Sequence, residues 1–585
     1  MNISLDAIDG RYSVLLPHEG RPDISGLIKH DDRFYYRLYG SFYCSKLLSL
    51  DQSDNINYFI DNLKSDGIES ALKSIQGGAF SLVVSDCLSS ETYLIVDRYG
   101  IVPVFYQIKI NEYGARLDIS FNLDNWPDLP KDQSSIYEFL SYGSLLFSDS
   151  FNEELIRVKG GQYHIISSRG LKRIEHWWVG NVERTYNVSG GNSDLENIID
   201  EVDEAYCSFF KKIPSDRGAI AGLSGGFDSR LILGYLQRFN VQPIHAVTMG
   251  NKGTDEVDSA KKIAQSLGVR HEISAVPHDL IANFGELIAG SFHLVASLEA
   301  AHVGFLCSLV KESLLSAPKA SYFDGFLGDV VMGGTYFSEA SRSPVAIFKD
   351  LALSGFNLTK LQSFETYVEI SLNTKQCSDL INISNFFADI SVLDVLRGKI
   401  IVQIAPLYEV AKSHEEMLNL MRLNQRGYRY ISNGPKALFS ILPTYLPFMD
   451  YNVRDSLDKI PLNILARQIF YRAFLRAKFP QLSSIPKAYN GSSANSSEFF
   501  YRFSQYSSGF RRHILYPKLY SWTFGKVDLN QEYIKIENYF QNKKNIQWME
   551  ALIIEKCQNY DLSFFQTLSP VSKLRLVSLV LAEYV

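Results

Sequence analysis

Two rhythms of apolar and polar residues run along this 585-residue chain, and the change from one to the other divides it. In the first ~110 residues the runs are short and rich in aromatic and β-branched side chains, such as Arg33 to Tyr39 and Phe80 to Val84. Gly, Asn and Asp clusters separate them, which predicts a sheet-rich domain. Residues 76–107 read as strand, turn, strand, tight turn and strand, with Gly100 and Pro103 at the last corner. A helix is predicted over Ser134 to Tyr142 and a return to strand over residues 155–167. From Asn192 to Lys212, Leu195, Ile198, Ile199, Val202 and Phe209 recur at helical spacing. Strand and helix then alternate. Residues 219–239 give a strand, a Gly/Ser turn and a helix; residues 241–250 give a second strand, 255–268 a helix and 269–276 a third strand. That alternation predicts a parallel α/β sheet. From about Asp279 onward the period is mostly helical, and no internal repeat is visible.

Composition narrows the class. With 46% hydrophobic and 13% aromatic residues the chain is globular, long enough for two domains with extensions or three to four smaller units. Its 58 Lys+Arg against 64 Asp+Glu leave a net charge of −6 and no basic run, so neither a nucleic-acid partner nor a basic binding module is expected. Cys44, Cys87, Cys207, Cys307, Cys377 and Cys557 are far apart and form no Cys-x-x-Cys pair, which reads as reduced thiols. The amino terminus lacks a basic stretch followed by an apolar run, and no segment approaches ~18 uninterrupted apolar residues. A cytoplasmic protein with no transmembrane segment is expected.

One turn carries the candidate chemistry. Ser224-Gly225-Gly226-Phe227-Asp228-Ser229 lies between an apolar strand and a helix. Two glycines let backbone N–H groups approach a phosphate, and a helix N-terminus adds positive potential. Ser224 and Ser229 can donate from their hydroxyls. A carboxylate beside phosphates repels them unless a cation intervenes, so Asp228 suggests Mg²⁺. The plainer alternative is a Gly-rich turn with a capping serine.

This turn resembles the pyrophosphate loop of the ATP pyrophosphatases, which GMP and argininosuccinate synthetases also carry, and three further segments resemble the asparagine synthetase superfamily. Residues 323–334, FDGFLGDVVMGG, resemble its second nucleotide loop; residues 447–450, PFMD, its PFLD segment; and residues 485–491, IPKAYNG, its lysine-bearing loop. The front of the chain, GGAFSLVVSD to LIVDRYGIVPVFY, resembles a class II glutamine amidotransferase domain with its Asp-Arg-x-Gly-x-x-Pro motif. The resemblance implies an α+β sandwich (Ntn-hydrolase-like) over residues 1–185, followed by an α/β PP-loop ATP pyrophosphatase (adenine nucleotide alpha hydrolase-like) domain over residues 192–500. Residues 335–402 would be a helical insertion and 501–585 a helical extension.

By the same resemblance the protein is an AMP-forming carbon–nitrogen ligase that uses ATP and Mg²⁺. It would activate a carboxylate as an acyl-adenylate, release pyrophosphate and pass the acyl group to an amine or ammonia. Asp228 and Asp329 would hold the metal, and Lys487 would be the cation that stabilises developing charge. Leu223, Ser224, Gly225, Gly226, Ser229, Met249 and Gly328 would bind nucleotide, with Ala221 beside Leu223. Each role has a plainer alternative: a turn carboxylate for Asp329, a solvated loop lysine for Lys487, core for Met249. Asp255 and Glu256 suit a helix start.

Two departures alter that picture. Position 2, where the amidotransferases carry a nucleophilic cysteine, is Asn2, so no glutaminase is expected and Asp97, Arg98 and Gly100 would be structural. In the second loop, the positions that are acidic in asparagine synthetases are Phe326 and Val330, and an apolar side chain cannot take a proton. A base would come from elsewhere, with Glu365, Glu369, His302 and His293 as candidates. The substrates implied are a small-molecule or peptide carboxylate with an amine or ammonia, and a partner protein could supply either. Intramolecular amide closure, as in β-lactam synthetases or lasso peptide cyclases, and a nucleotide-binding pseudoenzyme acting as a regulatory subunit are the alternatives.

Overall fold

Leu82, Val83 and Val84 are consecutive on one strand and all fully buried, so the sheet that holds them is covered on both faces. The structure, a computed structural model, describes residues 12–17, 27–45, 50–122, 129–178, 186, 192–250, 253–274, 300–334, 358–372, 392–488, 490–510, 547, 549, 551–553 and 570–581. The front of the chain supplies β1 (Tyr12–Pro17), β2 (Ile28–Lys29), β3 (Phe34–Cys44), β4 (Ile75–Asp86), β5 (Glu91–Val96), β6 (Phe105–Asn111), β7 (Gly114–Ser120), β8 (Ile156–Arg157), β9 (Gln162–Ser167) and β10 (Gly170–His176). They form two antiparallel sheets, in the orders β10-β9-β5-β4-β3-β2 and β1-β7-β6-β8. The helix Gln52–Asp66 covers the first sheet, where Phe59 meets Phe42 edge-on with ring centroids 5.9 Å apart. Both sheets feed one core, in which Val14, Leu117 and Ile119 join Leu82 and Leu94. Across it the Tyr106 hydroxyl and His164 Nδ1 are hydrogen-bonded at 2.8 Å.

The Asp-Arg-x-Gly turn after β5 is a knot between the two halves of the chain. Asp97 is fully buried and accepts from the N–H groups of Phe80, Tyr99, Ile101 and Val102 at 2.9–3.3 Å. Burial pushes its carboxyl up to about 6 in spite of those donors. Arg98 crosses to Asp455 at 2.9 Å and stands 4.0 Å over the Tyr451 ring. In these contacts the motif ties its own sheet together and docks it on the second half. Asn2 lies outside the described residues.

The second half is built on five parallel strands, β11 (Ala219–Gly222), β12 (Ile244–Met249), β13 (Arg270–Ser274), β14 (Ser321–Phe323) and β15 (Thr444–Tyr445), in the order β13-β12-β11-β14-β15. The alternation predicted the first three. The last two lie in the remainder expected to be mostly helical, whose other described elements are all helices; each is only three or two residues long, too short to show a period of two. The expected helices are present as Asn192–Phe210, Phe227–Arg238 and Asp255–Leu267. The last is capped by Thr254, whose hydroxyl accepts from Val257 N–H, and stopped by Gly268 in the left-handed region. Residues 179–185 and 187–191, where the boundary was expected, lie outside the described residues.

A second core joins parts that the sequence separates. Tyr137 and Phe139 on the helix Gln133–Tyr142 pack with Leu396 and Ile400 of the helix Val392–Val410 and with Val577 of the helix Pro570–Leu581. Buried Arg575 donates to the carbonyls of Leu140 and Ser141 at 2.8 and 2.6 Å, at the C-terminal end where a helix presents unpaired carbonyls. The segment Arg422–Ile431 is a ten-residue π-helix, a form that is normally confined to single turns. Cys44, Cys87, Cys207 and Cys307 are free thiols, while Cys377 and Cys557 lie outside the described residues. Among the described residues no helix is long and apolar enough to cross a membrane.

Candidate active site

The strand order reverses at β11: β12 lies on one side of it and β14 on the other, so the loops that follow β11 and β14 diverge and leave a crevice at the carboxyl ends of the strands. Open α/β sheets bind ligands at such a switch point. The two loops are the segments 224–229 and 324–334 that the sequence singles out.

The first loop turns through Ser224 and Gly225 into the helix Phe227–Arg238, whose N-cap Gly226 offers no side chain to its first N–H groups. Those donors are available to an anion. Ser229 Oγ donates to Ser224 O and accepts from Ser224 N–H, both at 3.1 Å, and Ser224 Oγ accepts from Gly226 N–H at 3.1 Å. The Gly225 N–H donates to Glu256 Oε1 at 3.1 Å. Glu256, read from the sequence as a helix-start residue, thus places a carboxylate against the first loop.

Arg230 holds this loop to the lysine-bearing one. It is fully buried and donates only to carbonyls: Nε to Gly226 at 2.9 Å, Nη2 to Gly225 at 2.9 Å and Pro486 at 2.8 Å, and Nη1 to Leu482 and Ile485. All five donors of a guanidinium find acceptors in this way. Burial lowers its pKa to about 10. The staple is completed by Ala488 N–H, which donates to Gly225 O at 3.2 Å.

The structure brings Asp228, Asp329 and Lys487 together. Asp228 Oδ2 accepts from the Asp329 N–H and Oδ1 from the Tyr471 hydroxyl, each at 2.9 Å. Burial, then the charge of Asp329, pushes the Asp228 carboxyl up to about 7. Gln468 links the other two: its Nε2 donates to Asp329 Oδ1, and its Oε1 accepts from Lys487 Nζ at 3.3 Å and from the Tyr501 hydroxyl. Lys487 Nζ also stands 4.6 Å over the Phe227 ring. Burial opposes its charge, but Tyr501, Asp329 and Asp228 together hold the ammonium above its ordinary value. Glycines make the approach possible: a Cβ on Gly328 would lie 2.6 Å from Asp228 Cγ, and one on Gly334 would lie 2.0 Å from Asp329 Oδ1. Six non-glycine residues among those described have positive φ, and three of them, Leu327, Arg467 and Gln468, border this cluster. Such conformations persist where the surroundings impose them.

Leu223 is buried at the end of β11, its N–H bonded to Val247 O at 2.8 Å. Met249 is half-buried at the end of β12 and packs against the second core. Phe326 is buried in the main core, and its ring offers no atom that could take a proton. Glu365 and Glu369 both pair with Arg397, and their bonds reach no residue of the cluster. His293 and the side chain of His302 lie outside the described residues. Sequence reasoning missed Arg230, Gln468, Tyr471 and Tyr501, none of which stands in a glycine-rich motif. It also missed Asp324, half-buried between β14 and the second loop, whose carboxyl burial pushes up to about 6 beside Tyr322. A cleft of about 420 Å³ lined by Pro214, Arg217, Leu314 and Pro443 opens at the opposite, amino-terminal end of the strands.

No curated protein matches the chain. Among solved structures it is similar to the glutamine phosphoribosylpyrophosphate amidotransferase from B. subtilis complexed with ADP and GMP, at 11% identity and a TM-score of 0.18, covering 43% of this chain and 72% of that one. It is also similar to a structure described as the allosteric regulatory enzyme of purine biosynthesis, at 12% identity and a TM-score of 0.18, covering 43% of this chain and 70% of that one. A third is the NH3-dependent NAD synthetase from Campylobacter jejuni in complex with the nitrate ion, at 17% identity and a TM-score of 0.19, covering 37% of this chain and 96% of that one. Residues 211–371, the segment that contains the first loop and both aspartates, match the family model for asparagine synthase.

Proposed function

We propose that the protein is an ATP-dependent amide-forming ligase that activates a carboxylate as an acyl-adenylate, releases pyrophosphate and transfers the acyl group to an amine or ammonia. One observation carries this reading: Asp228 and Asp329, from loops after two adjacent strands, meet at the switch point with Lys487 beside them. The adenine would lie over Leu223 and Met249, and the phosphates over Ser224, Gly225, Gly226 and Ser229.

The donor set suits Mg²⁺. Both are hard carboxylate oxygen donors; burial first, and then the charge of Asp329, raises the Asp228 carboxyl, and a divalent cation held by the pair would offset both. Asp228 and Asp329 would hold it, and when bound it would neutralise charge on the triphosphate. In this reading the first-turn N–H groups hold the leaving pyrophosphate, Lys487 faces the charge that develops on the transferred group, and Gln468 sets the position of Lys487. Asp324 is the base that replaces the acid missing at Phe326, since a half-buried carboxyl near neutrality can take a proton from an amine. The apolar Phe326 favours a larger amine or an intramolecular closure over free ammonia as acceptor.

The test is AMP and pyrophosphate release from ATP and Mg²⁺, with Asp228→Ala as control, using aspartate plus ammonia and then aspartate plus glutamine. Release with ammonia alone would establish asparagine formation without a glutaminase and retire the larger-amine reading. ATP binding with no release for any carboxylate and amine pair would favour the pseudoenzyme.

A further inference from the structure

Glu256 is a half-buried carboxylate whose one partner among the described residues is the first loop. It makes no ion pair there, and its side chain forms a single hydrogen bond, in which Oε1 accepts from the Gly225 N–H at 3.1 Å. It is the second residue of the helix Asp255–Leu267, a place where an acid ordinarily serves the helix dipole from the water side. Asp255 and Asp258, the other acids of that turn, are exposed, and Asp258 stands 3.8 Å from Lys261. Glu256 alone turns inward onto a neighbouring loop.

The packing directs it there. Ser259 lies one turn along the same helix face, and a Cβ on Gly225 would lie 3.0 Å from Ser259 Cβ and 2.4 Å from Ala488 Cβ. Gly225 is therefore wedged between this helix and the lysine-bearing loop, with its carbonyl taken by Arg230 Nη2 at 2.9 Å and by Ala488 N–H at 3.2 Å. Each N–H of the turn has an acceptor. Ser224 N–H has Ser229 Oγ and Gly226 N–H has Ser224 Oγ, both at 3.1 Å, and Gly225 N–H has Glu256. The first two acceptors are neutral hydroxyls within the loop, which a side-chain rotation withdraws. The third is a carboxylate brought in from another element.

A phosphate oxygen that accepts from the Gly225 N–H must lie where Glu256 Oε1 lies, because one N–H offers one direction at hydrogen-bond length. A carboxylate left beside it would also repel the charge on the phosphate. We propose that Glu256 is the resident anion of the first loop: it competes with the pyrophosphate part of the nucleotide for Gly225, leaves when the nucleotide binds and returns as pyrophosphate departs. This rests on the ligase reading above, which makes the loop the holder of pyrophosphate. The side-chain torsions of a glutamate let the carboxylate swing into water while the helix stays in place. The contact that weakens nucleotide binding thereby also helps to expel the product.

The experiment is calorimetric titration of the full chain at pH 7 with magnesium pyrophosphate and with magnesium ATP. Each titration is repeated on Glu256→Ala, Glu256→Gln and, as a control for charge in general, Asp258→Ala. Both Glu256 variants should bind the two ligands roughly 3- to 10-fold more tightly than the parent, the size expected when a competing hydrogen bond is weakened or removed. Asp258→Ala should stay within about twofold of the parent, since an exposed charge is screened. Misfolding cannot produce a gain in affinity. Weaker binding in Glu256→Ala that Glu256→Gln restores would make Glu256 a brace of the loop and overturn the proposal, as would an equal gain in Asp258→Ala. If the parent binds both ligands and the Glu256 variants gain nothing, the proposal falls and the ligase reading stands; if no protein of the set binds either ligand, both fall.

Discussion

Gln468 and Lys487 meet at 3.3 Å, the amide oxygen accepting from the ammonium, and the same amide donates from its nitrogen to Asp329. One neutral side chain therefore sets the spacing between a lysine and a carboxylate that would otherwise collapse into an ion pair. It does so from a backbone at φ 56°, next to Arg467 at φ 60°. Left-handed non-glycine residues cost about 1–3 kcal/mol each, so the surrounding fold sustains this geometry against a local preference.

Replacing this amide should therefore affect turnover more than binding. Gln468→Leu keeps the volume and removes all three bonds, to Asp329, Lys487 and Tyr501, leaving Lys487 free to swing toward Asp329. We expect kcat for pyrophosphate release to fall roughly 10- to 100-fold with little change in the KM for ATP, a size typical of small misplacements of a catalytic group. Steady-state kinetics beside a melting curve checks this. A proportional rise in KM would mean that the amide serves nucleotide binding instead.

Arg230 should be required for folding. Substitution by lysine offers one ammonium to the carbonyls of Gly225, Gly226, Leu482, Ile485 and Pro486, and leaves several of them buried and unpaired. A loss of about 3 kcal/mol or more is expected in Arg230→Lys, with Arg230→Met at least as severe. Denaturant titration reads it directly, and a loss under about 1 kcal/mol would show that water replaces the guanidinium.

What the sequence revealed and what it hid follow from how local each signal is. Ser224 to Ser229 was legible because a phosphate loop needs its glycines, hydroxyls and helix start within six consecutive residues. Gly328, Asp329 and Gly334 were legible for the same reason. Arg230, Gln468, Tyr471 and Tyr501 act across intervals as long as the 252 residues between Arg230 and Leu482, and no periodicity reports such a pairing. The strands β14 and β15 were missed because neighbouring strands, not their own residue pattern, hold two- and three-residue segments extended. The second core was missed because Arg575 meets the helix Gln133–Tyr142 across almost the whole chain.

Asp450 predicts a pH dependence of stability. It caps the helix Tyr451–Asp458 through Oδ1, which accepts from Val453 N–H at 3.0 Å, while its Oδ2 is buried without a partner beside Gly77 and the equally unpartnered Tyr43 hydroxyl. Burial raises its carboxyl from 3.8 to about 7. The folded state thus binds this proton more tightly than the unfolded state, so the contribution is most favourable below pH 3.8 and is lost as pH rises to about 7. Asp450→Asn retains the cap and cannot ionise. The difference in melting temperature between variant and parent should therefore grow in favour of the variant between pH 4 and 7; a constant difference would place the ionisation elsewhere.

Asp324 offers a test of the chemistry that does not depend on naming the substrate. It follows β14, its N–H is bonded to Tyr445 O at 3.1 Å, and the next residue, Gly325, packs against Asp228, with a Cβ there lying 3.0 Å from Asp228 Cβ. A base must be ionised to work, so the rate of amine transfer should fall as pH drops through about 6, the value to which burial raises this carboxyl. Asp324→Asn should lower transfer roughly 10²- to 10⁴-fold and abolish that acidic limb, the range expected when a general base is removed. Pyrophosphate exchange into ATP, which reports carboxylate activation before the amine enters, should survive the substitution. Loss of exchange and transfer together would make Asp324 a structural support of the second loop, and an unchanged limb would assign the base to another residue.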